Sequence, residues 1–188
     1  MNPQNIFETV KLRIALLQYA MHEDIDKNLL KVSQLIKSAA KQKVKVVCLP
    51  ELFATQYFAQ EETNKNFTYA ETIPGPTTEF LRQEAKNNQV TLIGGTIFEK
   101  TIKNGEPIYY NTALIIDPKG NIIGKYRKTH IPQDPSYYER FYFTPGNLGY
   151  IDVSINKLKI SPLICYDQWF PEPARILALR GVQLIFYP

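Results

Sequence analysis

Between Asp26 and Gln42 the apolar residues fall at Leu29, Leu30, Val32, Leu35, Ile36, Ala39 and Ala40, with lysines on the remaining face. This spacing predicts an amphipathic helix with one side on a core. The flanking segments follow another rule. Lys11–Gln18 is apolar at Leu12, Ile14 and Leu16 and also at Ala15 and Leu17, and Val44–Leu49 is a short β-branched run. Strands apolar on both faces belong inside a sheet. A strand–helix–strand order makes these two parallel neighbours by the crossover rule.

The same reading carries down the chain. Behind the break Pro74-Gly75-Pro76, Thr77 or Thr78 caps a predicted helix over Glu79–Asn87. Val90–Phe98 predicts a strand in which Gly94-Gly95 marks a bulge or a close backbone approach. After a turn at Lys103–Glu106, Tyr109–Ile116 and Asn121–Tyr126 form a predicted hairpin through Asp117-Pro118-Lys119-Gly120. Tyr150–Val153 and Leu158–Ile164 pair around Asn156-Lys157, and a helix over Glu172–Arg180 leads to a last strand, Gln183–Tyr187. Arg127 to Asn147 has little regular pattern, and a loop that long inside a compact domain is commonly functional. The expected class is α/β, with helices packed outside mixed sheets, either one sheet or two.

Composition narrows the partners more than the fold. A chain of 188 residues supports one sizeable core, which we divide into an N-terminal extension, residues 1–10, and one domain, residues 11–188. Lys and Arg number 22 against 18 Asp and Glu, and the resulting +4 is scattered, so neither nucleic acid nor a membrane surface is an expected partner. With Cys48 and Cys165 as the 2 cysteines and His22 and His130 as the 2 histidines, no disulfide framework and no Cys-cluster or His-rich metal site is expected. The start lacks a signal-peptide pattern and no stretch is apolar enough to span a bilayer, so a reduced, cytoplasmic setting is expected.

The chemistry gathers at strand ends. Leu163 and Ile164 lead into Cys165, and Pro171 then opens the last helix, so a tight turn holds a thiol near a helix's positive end. Glu51 and Lys128 stand at two other strand ends, where α/β proteins line their active-site crevices. A thiol nucleophile needs a base, and a carbonyl oxygen becoming negative needs positive charge or N–H donors. Glu51, Lys128 and the Tyr166 N–H answer those needs. His130 is the other candidate base, as in a Cys–His pair. Each has a plainer meaning: Glu51 a surface carboxylate, Lys128 part of a solvated basic edge, Glu139 the partner of an arginine, Cys165 an inert half-buried thiol. Cys48, inside an apolar strand, is expected in the core.

Leu49-Pro50-Glu51, Lys125-Tyr126-Arg127-Lys128-Thr129-His130 and Ile164-Cys165-Tyr166-Asp167-Gln168-Trp169-Phe170-Pro171-Glu172 resemble, in order, the three signatures of the nitrilase superfamily of carbon–nitrogen hydrolases. Within it, the run from Tyr138 to Gly146 and the residues after Cys165 look most like the N-carbamoylputrescine amidases, with β-ureidopropionases and other N-carbamoyl or ω-amidases next. The resemblance implies an α-β-β-α sandwich of two mixed sheets, no metal or organic cofactor, and a homo-oligomer. It implies Cys165 as nucleophile, Glu51 as general base in place of His130, Lys128 and the Tyr166 N–H as oxyanion stabilisers, and Glu139 as a second glutamate that orients a small carbamoyl-amine substrate. By proximity in sequence, Tyr137, Tyr138 and Trp169 are candidates to line the pocket for a cationic tail.

Two departures from the family pattern matter. The pattern stops at Tyr187-Pro188, so an incomplete second sheet with an apolar edge at Gln183–Tyr187 is expected. A chain inactive alone, or one working as an interaction module, is therefore the alternative from another class. Ser161-Pro162 stands where the family has small residues, and a proline there removes a ladder hydrogen bond just ahead of the nucleophile.

Overall fold

Alternation along the strands sorts the interior into layers. The computed structural model describes residues 11–188, and the expected N-terminal extension, residues 1–10, lies outside the described residues. Strands β1 (Ile14–Leu16), β2 (Val46–Cys48) and β3 (Thr91–Ile93) run parallel, in the register Ala15, Val47, Leu92. The long strand β5 (Glu106–Ile116) pairs antiparallel with β3 through Ile115 and Ile116 and with β4 (Ile97–Lys103) along the rest of that edge. Its other edge takes β6 (Ile122–Arg127). A second sheet holds β7 (Val153–Ile155), β8 (Leu158–Pro162) and β9 (Leu184–Phe186), antiparallel and then parallel.

Both sheets are mixed, and each residue parity finds its own layer. Val47, Leu49, Leu92, Leu114 and Ile116 face the helices α1 (Ile25–Lys41) and α2 (Pro76–Asn88), meeting Val32, Ile36, Leu81 and Ala85. Their neighbours Val46, Cys48, Ile93 and Ile115 face the other way, onto Ile160 and Phe186 of the second sheet. The far side of that sheet takes Leu177 of helix α3 (Pro171–Leu179) against Leu163, Ile164 and Ile185. The result is an α-β-β-α sandwich. Cys48 lies in the inter-sheet layer, where burial pushes its thiol up to about 12.

Some boundaries differ from the sequence reading. Helix α2 begins at Pro76 with Gly75 as its N-cap, and not at Thr77 or Thr78. The Thr77 N–H is instead taken by the Glu71 carboxylate at 3.0 Å, a remote acceptor that local sequence does not reveal. The predicted strand Val90–Phe98 divides at Gly94-Gly95 into β3 and β4, which share β5 as a partner. Strand β7 begins only at Val153, because the Tyr150 carbonyl is drawn to Arg180 Nη1 at 2.7 Å. Extending the β7–β8 register by two residues sets Ile151 opposite Pro162, which has no N–H to give. Ser161 Oγ donates to the Ile151 carbonyl at 2.6 Å, so the neighbouring serine supplies the bond that the proline lacks.

A buried carboxylate fixes β4 to β6. Glu99 is 2% exposed and accepts from Lys125 Nζ at 2.6 Å, from Arg127 Nε and Nη2 at 2.8 and 2.7 Å, and from Thr112 Oγ1 at 2.6 Å. Burial alone would raise its pKa, but the hydrogen bonds from Arg127, Lys125 and Thr112 outweigh it and hold the carboxyl down at about 2. A depressed folded-state pKa contributes stability above the unfolded value of about 4.5, lost as pH falls toward about 2. Glu99→Gln is expected to cost about 3 kcal/mol in urea unfolding at neutral pH, because it strands two cations, and the deficit should shrink below about pH 4. A deficit independent of pH would contradict the ion-pair account.

Among the described residues no strand pairs with the outer edges of β1 and β9. Between them runs an apolar groove of about 580 Å³, lined by Ile14, Leu16, Leu17, Leu184 and Phe186 and ending at Glu51. Leu16 on its rim is 67% exposed. No described helix is long and apolar enough to cross a membrane.

Candidate active site

The Glu51 loop is held by backbone that local sequence only half announces. Leu49 N–H bonds to the Ile93 carbonyl at 3.0 Å, and Leu52, at φ +49°, gives its N–H to Thr96 Oγ1 at 2.8 Å. Gly95 sits at φ +55° against the Pro50 carbonyl, which a Cβ there would strike. This close approach is what Gly94-Gly95 permits. Asn111, from the buried middle of β5, donates Nδ2 to Glu51 Oε1 at 2.7 Å.

Lys128 follows β6, its backbone fixed by Asn111 O at 2.8 Å and by Gly146 N–H at 2.7 Å. Its side chain is wholly buried and reaches the same Glu51 oxygen at 2.8 Å and Glu139 Oε2 at 2.7 Å. Glu139, in a short 3-10 turn (Glu139–Phe141), accepts on its other oxygen from Tyr57 Oη at 2.8 Å. Two carboxylates thus share one cation. Burial would lower the Lys128 pKa, but Glu51 and Glu139 overcome it and hold the group above the usual lysine value, as an ammonium. Glu139 moves the other way from Glu99. Burial first, then the charge of Glu51, push it up to about 7 despite Lys128 and Tyr57. Glu99 has two cations to itself and its pKa is lowered, whereas Glu139 shares one with Glu51 and its pKa is raised.

Cys165 opens a 3-10 turn (Cys165–Trp169) lying between β8 and α3. The first residue of α3 is Pro171, so the expected pull of its N-terminus on the sulfur is interrupted by that turn. The thiol is pushed up to about 12, by burial first and then by the Glu51 charge, with Lys128 opposing and a hydrogen bond to Glu51 adding to the rise. It rests as a neutral thiol beside a carboxylate that can accept its proton. The Cys165 backbone is at φ +39°, a conformation costing about 1–3 kcal/mol for such a residue. Its N–H bonds to the Pro188 carbonyl at 2.9 Å.

Glu51, Lys128, Glu139 and Cys165, scattered through the sequence, meet in one cluster. Tyr166 follows directly, half-buried, with its ring on Phe170. Tyr138 is half-buried and gives its N–H to Ala59 O at 2.8 Å; Tyr137 lies against the Tyr57 ring at 5.8 Å. Trp169 is 75% exposed at the outer end of the turn. His130 is engaged elsewhere, Nδ1 2.7 Å from Asp167 Oδ1 and its ring stacked on Phe170. Glu139 does not meet an arginine; Arg140 turns to the Ile131 carbonyl. Three site residues escaped sequence reasoning. Asn111 had a signal, an amide within an apolar strand. Asp167 lay inside a quoted motif without a role, and Tyr57 carried none. Among the described residues, no group of three or more His, Cys, Asp or Glu is arranged to hold a metal ion.

Residues 13–188 match the model of the carbon–nitrogen hydrolase family. The chain belongs to that family. It is similar to an N-carbamoylputrescine amidase of Solanum lycopersicum, 35% identical over 93% of this chain and 57% of the relative. It is also similar to a nitrilase of Pyrococcus abyssi, 42% identical over 87% of this chain and 58% of the relative. The crystal structure of a carbon–nitrogen hydrolase from Helicobacter pylori G27 superposes with a TM-score of 0.87 at 38% identity, covering 94% of this chain and 59% of that one. The chain spans less than two thirds of the length of these relatives. Their names differ in the bond they act on, so family membership leaves the substrate open.

Proposed function

We propose that this chain hydrolyses a non-peptide C–N bond through a Cys165 thioester, with a small carbamoyl amine of the N-carbamoylputrescine type as substrate. The observation that carries the reading is the neutral Cys165 thiol beside Glu51, with the buried Lys128 ammonium bridging Glu51 and Glu139. As Sγ bonds to the carbamoyl carbon, its proton passes to Glu51, and the carbonyl electron pair moves onto oxygen. Lys128 and the Tyr166 N–H hold that oxyanion. Its collapse breaks the C–N bond, and the departing nitrogen takes the proton from Glu51, leaving an acyl group on Cys165. Water then gives a proton to Glu51 and attacks, and the thiolate leaves and recovers its proton. With N-carbamoylputrescine and one water, the products are putrescine, CO2 and ammonia. Glu139, with Tyr57 behind it, orients the substrate nitrogen, and Tyr138, Tyr137 and Trp169 are assigned to the outer pocket. The reading has a homo-oligomer working in the cytoplasm without a cofactor.

The test is a panel of N-carbamoylputrescine, 3-ureidopropionate, small ω-amides and nitriles, with ammonia release as the readout. We expect kcat/KM on carbamoylputrescine to exceed that on the acidic ureide by about 100-fold or more. A preference for amides or nitriles would move the assignment to another branch of the family, and no ammonia from any of them would reject it.

A further inference from the structure

Asp167 is wholly buried, and four donors converge on its carboxylate. Oδ2 accepts from Ile164 N–H at 3.0 Å and from Tyr126 Oη at 2.7 Å; Oδ1 accepts from His130 N–H at 3.0 Å and faces His130 Nδ1 at 2.7 Å. These donors are placed with a pattern. Ile164 immediately precedes Cys165, while Tyr126 and His130 stand two residues before and two after Lys128. One carboxylate therefore ties the nucleophile turn to both flanks of the lysine.

We propose that Asp167, acting through Ile164, Tyr126 and His130, is the positioning residue that holds Cys165 and Lys128 in fixed relation, so that the sulfur and the ammonium address one carbonyl. The proposal rests on the assignment of Cys165 as nucleophile and adds a residue that touches no substrate. The supports of the network are themselves immobilised. The His130 ring stacks on Phe170 at 3.9 Å with an angle of 10°, and Phe170 gives its N–H to Asp167 O at 3.2 Å. Tyr126 is fully buried, and its hydroxyl accepts the Thr129 N–H at 3.3 Å while donating to Asp167. The Asp167 N–H closes the turn on the Ile164 carbonyl at 2.9 Å. The left-handed backbone of Cys165 is thus clamped from the residue before it and from the residue two beyond. Such a conformation persists only where its surroundings over-determine it. Hydrogen bonds to a buried carboxylate are strong enough to do so.

Asp167→Asn keeps the volume but sets an amide N–H against one of the donors. We expect kcat to fall about 100-fold with KM changed by less than about threefold, since substrate-binding groups stay in place. Iodoacetamide labelling, mapped by peptide mass, supplies a readout that a merely structural role would not move. Freed from burial and from Glu51, the Cys165 thiol should react about tenfold faster at pH 8, while Cys48 in the inter-sheet core stays protected. If both cysteines are exposed together, Asp167 only holds the fold and the proposal fails. It fails equally if kcat and Cys165 labelling stay within threefold of native. Should Asp167→Asn not fold, His130→Asn, which keeps a donor at the Nδ1 position, should recover most of what His130→Leu loses in kcat; equal losses overturn the idea. The labelling is independent of turnover, so a native protein inactive on every substrate would reject the functional reading while this inference is still decided.

Discussion

Cys165→Ala is expected to leave turnover below about one part in ten thousand of native, because no other group in the cluster can form the thioester. Unfolding midpoints should barely move, since the thiol is only partly buried and its loss strands no charge. Glu51→Gln tests the other half of the same step. The thiol pKa is pushed up to about 12 by burial and by the Glu51 charge, so without the carboxylate there is neither a base nor a proton relay at neutral pH. Glu51→Gln should lose turnover by about a thousandfold or more while still binding substrate, which calorimetry would register. Native turnover by Cys165→Ala would overturn the mechanism. Slow turnover by Glu51→Gln restored simply by raising the pH would make Glu51 an orienting group and not a base.

Lys128→Met should be the most damaging single change to stability. The ammonium is fully buried between Glu51 and Glu139, at 2.8 and 2.7 Å, and its removal leaves two carboxylates facing each other. Breaking a buried ion pair costs about 3–5 kcal/mol. The cost has a predictable pH dependence. The folded-state pKa of Glu139 is raised to about 7 from about 4.5, so its proton stabilises the fold at low pH, and that share is lost as pH rises through about 7. Without Lys128, which opposes that rise, Glu139 holds its proton more tightly still, and the deficit of Lys128→Met should be larger at about pH 8 than at about pH 6. Urea unfolding at both values checks the sign, and a deficit that shrinks with rising pH would contradict it. Turnover should fall at least about a thousandfold, for want of the oxyanion's cation.

The sequence by itself determined the order of helices and strands, apart from the division of Val90–Phe98, and left one sheet or two open. Periodicity is a local property: Val32, Ile36 and Ala39 recur at helical spacing, and Val46 and Val47 face opposite sides of a strand because successive side chains must. The strand-end positions of Glu51, Lys128 and Cys165, and the three motifs in order, also pointed to groups that the fold brings into one cluster. Even Pro162, which read as a defect, had its remedy in the adjacent Ser161, though only the register to Ile151 shows it.

What tertiary structure decided was the surroundings of those groups, and with them the raised pKa values of Lys128 and Cys165. Lys128 and Glu51 lie 77 residues apart, Tyr57 and Glu139 82, and Tyr126 and Asp167 41, so no window of sequence contains any of these contacts. A pKa is set by burial and by whichever charges come within a few ångströms, and both exist only after folding. From sequence, Cys165 was a thiol near a helix end with Glu51 and Lys128 as candidate partners; the fold adds that Glu51 and Glu139 share the one cation and that Asp167 straps down the turn. Local sequence chose the chemical groups; long-range packing chose their neighbours.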